Sequence, residues 1–231
     1  MIFIKMFVIL LCQNRFYTKK RKMDYDKVTE YIQSLYKNKE YLLQEKYVKN
    51  MEVKNYIPTV DDCTANLLRL LIKLLKPKKI LEIGTSVGYS TTSMALEIEE
   101  YGGHITTIEF DEKVADQAES NFKAAGVDKS ITLLRGDALA IIEKLEGEYD
   151  MIFQDVDKKL YSQLLPNCAN LLKKGGILLS DDALFPVMDL DPKWTDQIEP
   201  IKKYNEEIMK FKGLDSVLLP IEDGIMFSIK V

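Results

Sequence analysis

From Pro77 onward, short runs rich in β-branched residues alternate with longer stretches of helical periodicity, and this alternation limits the fold more than any other feature of the chain. The runs Lys79 to Ile83, His104 to Glu109, Ile131 to Arg135, Asp150 to Gln154 and Ile177 to Ser180 read as strands. Tyr89 to Glu100, Glu112 to Ala125 and Tyr161 to Leu172 read as the helices between them, with Gly102, Gly126 and Gly175 at or just past their ends. Repetition of strand, helix and strand predicts an α/β fold with a doubly wound, mostly parallel sheet. Val217 to Leu219 and Ile225 to Ile229 break the rhythm, because only Pro220 to Gly224 separates them. A connection that short joins antiparallel strands, so a C-terminal hairpin brings the expected sheet to seven strands. No internal repeat is present.

Upstream of Pro77 the apolar residues recur at helical spacing, with Tyr25, Val28, Ile32 and Leu35 early and Leu67, Leu68, Leu71, Leu74 and Leu75 late. This predicts a helical lead-in, interrupted at Pro58. Six of the twelve tyrosines lie between Tyr25 and Tyr56, a cluster that suits amphipathic packing better than an aromatic binding surface. Residues 1 to 22 are expected outside the fold: the run Ile2 to Cys12 is apolar but short, Lys5 breaks it, and the basic cluster follows it, the reverse of a secretory signal. Helical sequence starts at Met23-Asp24-Tyr25, where Asp24 can cap and Met23 is the expected start of the domain that runs to residue 231.

Charge divides at the same place. The net −4 contains six bases and no acid in residues 1 to 23, so the remaining chain carries −10. An acidic body argues against a surface that tracks nucleic-acid phosphates. No apolar run approaches the roughly 18 residues of a membrane span. The three cysteines, Cys12, Cys63 and Cys168, fit neither a disulfide framework nor a thiolate zinc site and are expected as free thiols in a reducing cytoplasm. One histidine, His104, excludes any mechanism that needs two imidazoles.

In an open parallel sheet, ligands bind beyond the carboxyl ends of the strands where strand order reverses. At the first such end, Leu81-Glu82-Ile83-Gly84-Thr85-Ser86-Val87-Gly88-Tyr89-Ser90 turns from strand into helix. Gly84 and Gly88 would admit a ligand close to the backbone, with Ser90 and the free N–H groups of the helix start as donors; the same glycines suit a tight packing turn, and the sequence leaves the two readings level. It is not a G-x-G-x-x-G fingerprint, which weakens a nicotinamide dehydrogenase reading. Glu109 ends the second strand, 21 residues after Gly88, where an acid can accept the hydroxyls of a ribose. Together with the glycine turn it points to an adenosine-containing ligand, and Arg135-Gly136-Asp137-Ala138 would lie near the adenine. The fourth and fifth strands end in Gln154-Asp155-Val156-Asp157-Lys158 and Ser180-Asp181-Asp182. So many carboxylates at one edge need a cation, and oxygen ligands without His or Cys suit Mg²⁺, Mn²⁺ or Ca²⁺.

Taken in order, these segments resemble the cation-dependent O-methyltransferase family, which includes caffeoyl-CoA and catechol O-methyltransferases and bacterial relatives. The resemblance covers about residues 55 to 231 and rests on Leu81-Glu82-Ile83-Gly84 with Gly88-Tyr89-Ser90, Glu109, Gly136-Asp137-Ala138, Phe153 to Lys158, Gly175-Gly176, Asp181-Asp182 and the closing Leu219 to Gly224. It implies a single Rossmann-like class I methyltransferase domain over 23 to 231. It further implies S-adenosylmethionine with its methionine part near Glu82, Gly84, Thr85 and Ser90, its ribose at Glu109, its adenine at Ala138 and its amino end near Asp157. Asp155, Asp181 and Asp182 match the metal ligands, and Lys158 the lysine that serves as general base in catechol-type members. That role requires burial and the metal to lower the lysine pKa; the alternative is a cationic partner for the acids.

The family usually has Asp-Asn where this chain has Asp181-Asp182, and apolar residues and Ala where it has Gln154 and Val156. The added charge implies a neutral or mono-anionic acceptor, or a protonated Asp182. The activity implied is metal-dependent methylation of a hydroxyl on a small phenolic, catechol-like acceptor by a cytoplasmic homodimer. Two alternatives are methylation of a hydroxylated uridine in tRNA, which the basic leader favours and the acidic body disfavours, and a non-catalytic S-adenosylmethionine-binding protein, which the presence of Asp155, Lys158 and Asp181 disfavours. The acceptor pocket is expected to involve the Ala183 to Asp196 loop with Trp194, the chain's one tryptophan.

Overall fold

The computed structural model describes residues 25–36, 42–49, 51, 53, 54, 56 and 58–231. The expected leader at 1 to 22, the start at Met23 and the Asp24 cap lie outside them. The chain divides into two compact units, Met1–Tyr41 and Leu42–Val231. In the first, helix α1 (Tyr25–Tyr36) keeps Val28 and Ile32 half-buried, whereas Leu35, read from the sequence as part of the same apolar stripe, is exposed along with Tyr31.

The second unit begins with the short helix α2 (Gln44–Val48) and continues with α3 (Asp62–Leu75). Asp61 caps α3 by accepting from the backbone N–H groups of Cys63 and Thr64; Lys76 closes it in the left-handed conformation, just before Pro77. There follow β1 (Lys79–Ile83), α4 (Tyr89–Ile98), β2 (His104–Glu109), α5 (Glu112–Ala125), β3 (Ile131–Arg135), α6 (Ala138–Ile142), β4 (Tyr149–Gln154), α7 (Tyr161–Leu171), β5 (Leu172–Ser180), α8 (Ile198–Ile208), β6 (Leu214–Leu219) and β7 (Ile225–Lys230). The seven strands have the order β3-β2-β1-β4-β5-β7-β6. β1 to β5 pair in parallel, and β7 pairs antiparallel with both β5 and β6, which is the doubly wound sheet with a terminal hairpin.

Alternation along the strands sends side chains into two cores. Ile80, Ile105, Met151 and Leu179 pack under α3, α4 and α5, while Leu81, Ile83, Ile152 and Leu178 pack under α6, α7 and α8. Strand order reverses between β1 and β4, so their carboxyl ends lie side by side and define the edge where a ligand belongs.

Several boundaries differ from the sequence reading. β5 starts at Leu172 instead of Ile177, because Leu172 pairs with Tyr149 and a register shift accommodates the residues before Ile177; Gly175 therefore lies inside the strand span, not past a helix. β6 starts at Leu214 instead of Val217; Asp215 and Ser216 hide an edge strand whose Ser216 hydroxyl pairs with that of Ser228 at 2.7 Å. α4 stops at Ile98 and a 3₁₀ turn, Glu99–Tyr101, replaces its last residues. α6 and α8 are helices beyond those the sequence reading gives; Asp137 caps the first, and Ile201, Tyr204 and Ile208 give the second its buried face.

Candidate active site

Glu82 follows Leu81 on β1, so its side chain enters the core beneath α4. It is fully buried and accepts from Ser90 Oγ at 2.7 Å, Thr107 Oγ1 at 2.6 Å and Thr91 Oγ1. Burial pushes its carboxyl up to about 7 against the opposing pull of those three hydroxyls. Glu82 thus braces the turn from below, and Ser90 directs its proton inward to it.

Gly84 has φ +100°, and a Cβ there would lie 1.9 Å from the carbonyl oxygen of Asp155. The room that glycine leaves is occupied by the first peptide beyond β4, which is how the two strand ends close on each other. Asp155 N–H also donates to Ile83 O at 2.9 Å, and Asp181 N–H to Gln154 O at 3.0 Å, so the ends of β1, β4 and β5 form one continuous edge. Gly84 and Thr85 both donate backbone N–H to Ile108 O at 3.1 Å, and the Thr85 hydroxyl pairs with Thr107 at 2.6 Å.

Glu109 accepts from Ser86 N–H at 2.8 Å and Asp111 N–H at 2.9 Å, which fixes the glycine turn to the end of β2. A carboxylate has about four acceptor sites, so room remains on Glu109 for a further donor such as a hydroxyl. Burial pushes this carboxyl above its ordinary range. Ala138 is the buried first residue of α6. Asp157, exposed, caps the turn that carries Lys158 by accepting from Lys159 N–H at 3.0 Å.

The acids of β4 and β5 meet at Lys158. Its ammonium donates to Asp155 Oδ1 at 2.8 Å and pairs with Asp182 Oδ2 at 2.6 Å, and the residue is only 7% exposed. Burial lowers the lysine pKa, but Asp155, Tyr161 and Asp182 outweigh it and hold the proton on well above the ordinary range. In this arrangement Lys158 is a cation shared by carboxylates, the alternative to the general-base reading. Asp181, buried beside two acids, is pushed well up, and Asp182 up to about 6. Asp182 also has φ +59°, a left-handed conformation that Asp and Asn adopt more readily than other side chains.

The donor set fits an oxygen-ligated divalent ion: Asp155 and Asp182 already converge on one cation, and a single lysine leaves three neighbouring carboxyls undercompensated. Asp181 does not join that convergence. Among the described residues, the set of three ligand atoms lying within 4.8 Å of one another is Asp61, Cys63 and Glu222. There Asp61 is engaged as the cap of α3, and burial holds the Cys63 thiol protonated.

Two residues that position the site carry no motif of their own. Gln197 Oε1 accepts from Lys158 backbone N–H at 3.1 Å, and the hydroxyl of Tyr161 accepts from Lys158 Nζ at 3.2 Å. The spacing of Lys158 and Tyr161, three residues apart across a helix start, was the available signal for Tyr161; Gln197 arrives from a distant 3₁₀ segment, Pro192–Gln197. Trp194 in that segment is half-buried with Lys193 over its ring. Tyr47, from the tyrosine-rich lead-in, packs against Tyr89 and bonds Gly88 O at 2.9 Å, a structural use.

The chain is similar in sequence and in fold to known proteins. The chain is 30% identical over 177 residues to a caffeoyl-CoA O-methyltransferase of Stellaria longipes, covering 71% of this chain and 73% of the relative. It is 31% identical over 157 residues to a catechol O-methyltransferase of Niastella koreensis, covering 66% and 71%. An SAH-bound methyltransferase structure from Podospora anserina superposes with a TM-score of 0.80 at 23% identity over 93% of this chain and all of that one. A family model described as O-methyltransferase matches residues 32–231, and with it the chain belongs to the O-methyltransferase family, alongside enzymes of the caffeoyl-CoA and catechol type.

Proposed function

We propose that the protein transfers the methyl group of S-adenosylmethionine to a hydroxyl of a small phenolic, catechol-like acceptor, with a divalent cation, Mg²⁺ first among Mg²⁺, Mn²⁺ and Ca²⁺. The observation that carries this reading is the convergence of Asp155 and Asp182 on one buried cationic point at the strand edge, beside the Gly84 turn. Asp155 and Asp182 would hold the ion, with Asp181 as a ligand only after its side chain turns toward them, and the ion when bound would supply a Lewis acid that lowers the pKa of the acceptor hydroxyl. Glu109 receives the ribose, and Ala138 borders the adenine. Gly84, Thr85 and Ser90, stiffened from below by Glu82, shape the pocket for the methionine part, with Asp157 toward its amino group. These residues would hold the donor in a fixed orientation toward the acceptor, where orientation supplies a large share of the rate.

Lys158 faces the same oxygen. With Asp155 and Asp182 uncompensated it keeps its proton and stabilises the oxygen anion as an ammonium; compensation of those two charges is the condition for it to accept the hydroxyl proton. The test is transfer of labelled methyl from S-adenosylmethionine in Mg²⁺ to a panel of catechols, phenolic acyl-CoA esters and undermodified tRNA. Labelling of catechols or phenolic esters is the expected result; labelling of tRNA alone would replace the small acceptor with a nucleic acid, and binding of the donor with no transfer would leave a binding protein.

A further inference from the structure

The geometry points to Tyr161 as a positioning residue for Lys158, an inference that rests on the proposed methyl transfer insofar as Lys158 faces the reacting oxygen. Tyr161 is fully buried at the start of α7. Its hydroxyl lies 3.0 Å from Gln154 O and 3.3 Å from Asp181 O, the carbonyls of the two strand ends that carry Asp155 and Asp182. A phenol has one proton to donate and lone pairs with which to accept. The proton goes to these carbonyls, so the oxygen faces Lys158 as an acceptor, 3.2 Å from Nζ.

The ammonium has three protons and here three acceptors: Asp155 Oδ1, Asp182 Oδ2 and Tyr161 Oη. Two carboxylates alone would leave it free to swing about the line between them. The phenol removes that freedom, and because its own position is set by main chain from both β4 and β5, the ammonium is indexed to the edge that carries the acids. The ring also lies 5.1 Å from Nζ and stands edge-on to Tyr204 with centroids 5.1 Å apart, contacts that phenylalanine would retain. The hydroxyl is therefore separable from the packing.

Tyr204 supplies the control. Its hydroxyl makes an equally buried bond, 2.6 Å to Ser180 Oγ, on the same core without touching Lys158. Tyr161→Phe and Tyr204→Phe are compared with the wild-type full chain by two readouts. The first is the acylation rate of Lys158 by an amine-reactive reagent, followed by peptide mass spectrometry, which needs no turnover. The second is steady-state methyl transfer. Tyr161→Phe is expected to raise Lys158 acylation about 5-fold or more and to lower kcat about 10- to 100-fold with the KM for the methyl donor within about 2-fold. Tyr204→Phe should leave both within about 2-fold. Equal acylation of wild type and Tyr161→Phe, or an equal rise in both variants, would overturn the positioning role. If Tyr161→Phe does not fold, 4-fluorophenylalanine at position 161, close in shape but without the hydroxyl, must change acylation in the same direction for the role to stand. A wild type that transfers no methyl group to any acceptor refutes the methyltransferase reading, and the acylation comparison still decides the placement of Lys158.

Discussion

Asp182 places a carboxylate beside Asp181 at the end of β5, on the ammonium of Lys158. Its backbone is left-handed, which asparagine tolerates equally, so Asp182→Asn should fold normally. It removes one of the two charges on Lys158, and calorimetric titration should show Mg²⁺ binding weakened about 10-fold or more; unchanged affinity would remove Asp182 from the ligand set. Gly84 is stricter. Alanine there would combine a positive φ with a Cβ 1.9 Å from a carbonyl oxygen, and urea denaturation should show a loss of about 3 kcal/mol or more. Glu82 titrates inside the core near pH 7, whereas in the unfolded chain its carboxyl ionises near its ordinary value of 4.5. The folded state therefore keeps the proton to higher pH, and between roughly pH 4.5 and 7 rising pH lowers stability by up to about 1.4 kcal/mol per unit through this group. Glu82→Gln should flatten that part of the stability profile measured by thermal unfolding. At this scale the sequence places the acids at strand ends, since those ends are marked by where apolar runs stop. It did not show that Ser90 turns its proton inward to Glu82, or that Tyr161 and Gln197 brace Lys158, because those are contacts between elements whose packing angles no local pattern encodes.

At the level of elements, legibility followed burial pattern. α5 matches its expected limits because Asp111 caps it, accepting from Lys113 N–H at 2.8 Å and Val114 N–H at 3.1 Å, and Gly126 ends it in a left-handed conformation. Asp111→Ala should cost about 1 kcal/mol in chemical denaturation. β5 and β6 both start before their apolar runs for a common reason: Lys173 and Lys174 at a register shift in one, and Asp215 and Ser216 on a sheet edge in the other, interrupt the apolar pattern. α6 spans only Ala138–Ile142, shorter than the window in which helical periodicity is visible. α8 has the spacing, but its polar face of Lys202, Lys203, Glu206 and Glu207 gave it the composition of a loop.

For the whole molecule, the alternation after Pro77 sufficed to give a parallel sheet and the short Pro220 to Gly224 link gave its hairpin; the strand order β3-β2-β1-β4-β5-β7-β6 is legible only in the structure, because handed crossovers leave several orders open. Among the described residues no helix is long and apolar enough to cross a membrane. The excess of negative charge in residues 24 to 231 acquires a location: several of those acids crowd the reversal point of the sheet, where one lysine answers three carboxyls. The proposed divalent cation would offset these charges, and the dependence of methyl transfer on added metal tests that proposal most directly. Transfer from labelled S-adenosylmethionine to a catechol should disappear with chelator, return on titration of Mg²⁺, and fall at least about 100-fold in Asp155→Asn at saturating donor. Transfer that proceeds undiminished in chelator, and equally well in Asp155→Asn, would contradict a cation held at the ends of β4 and β5.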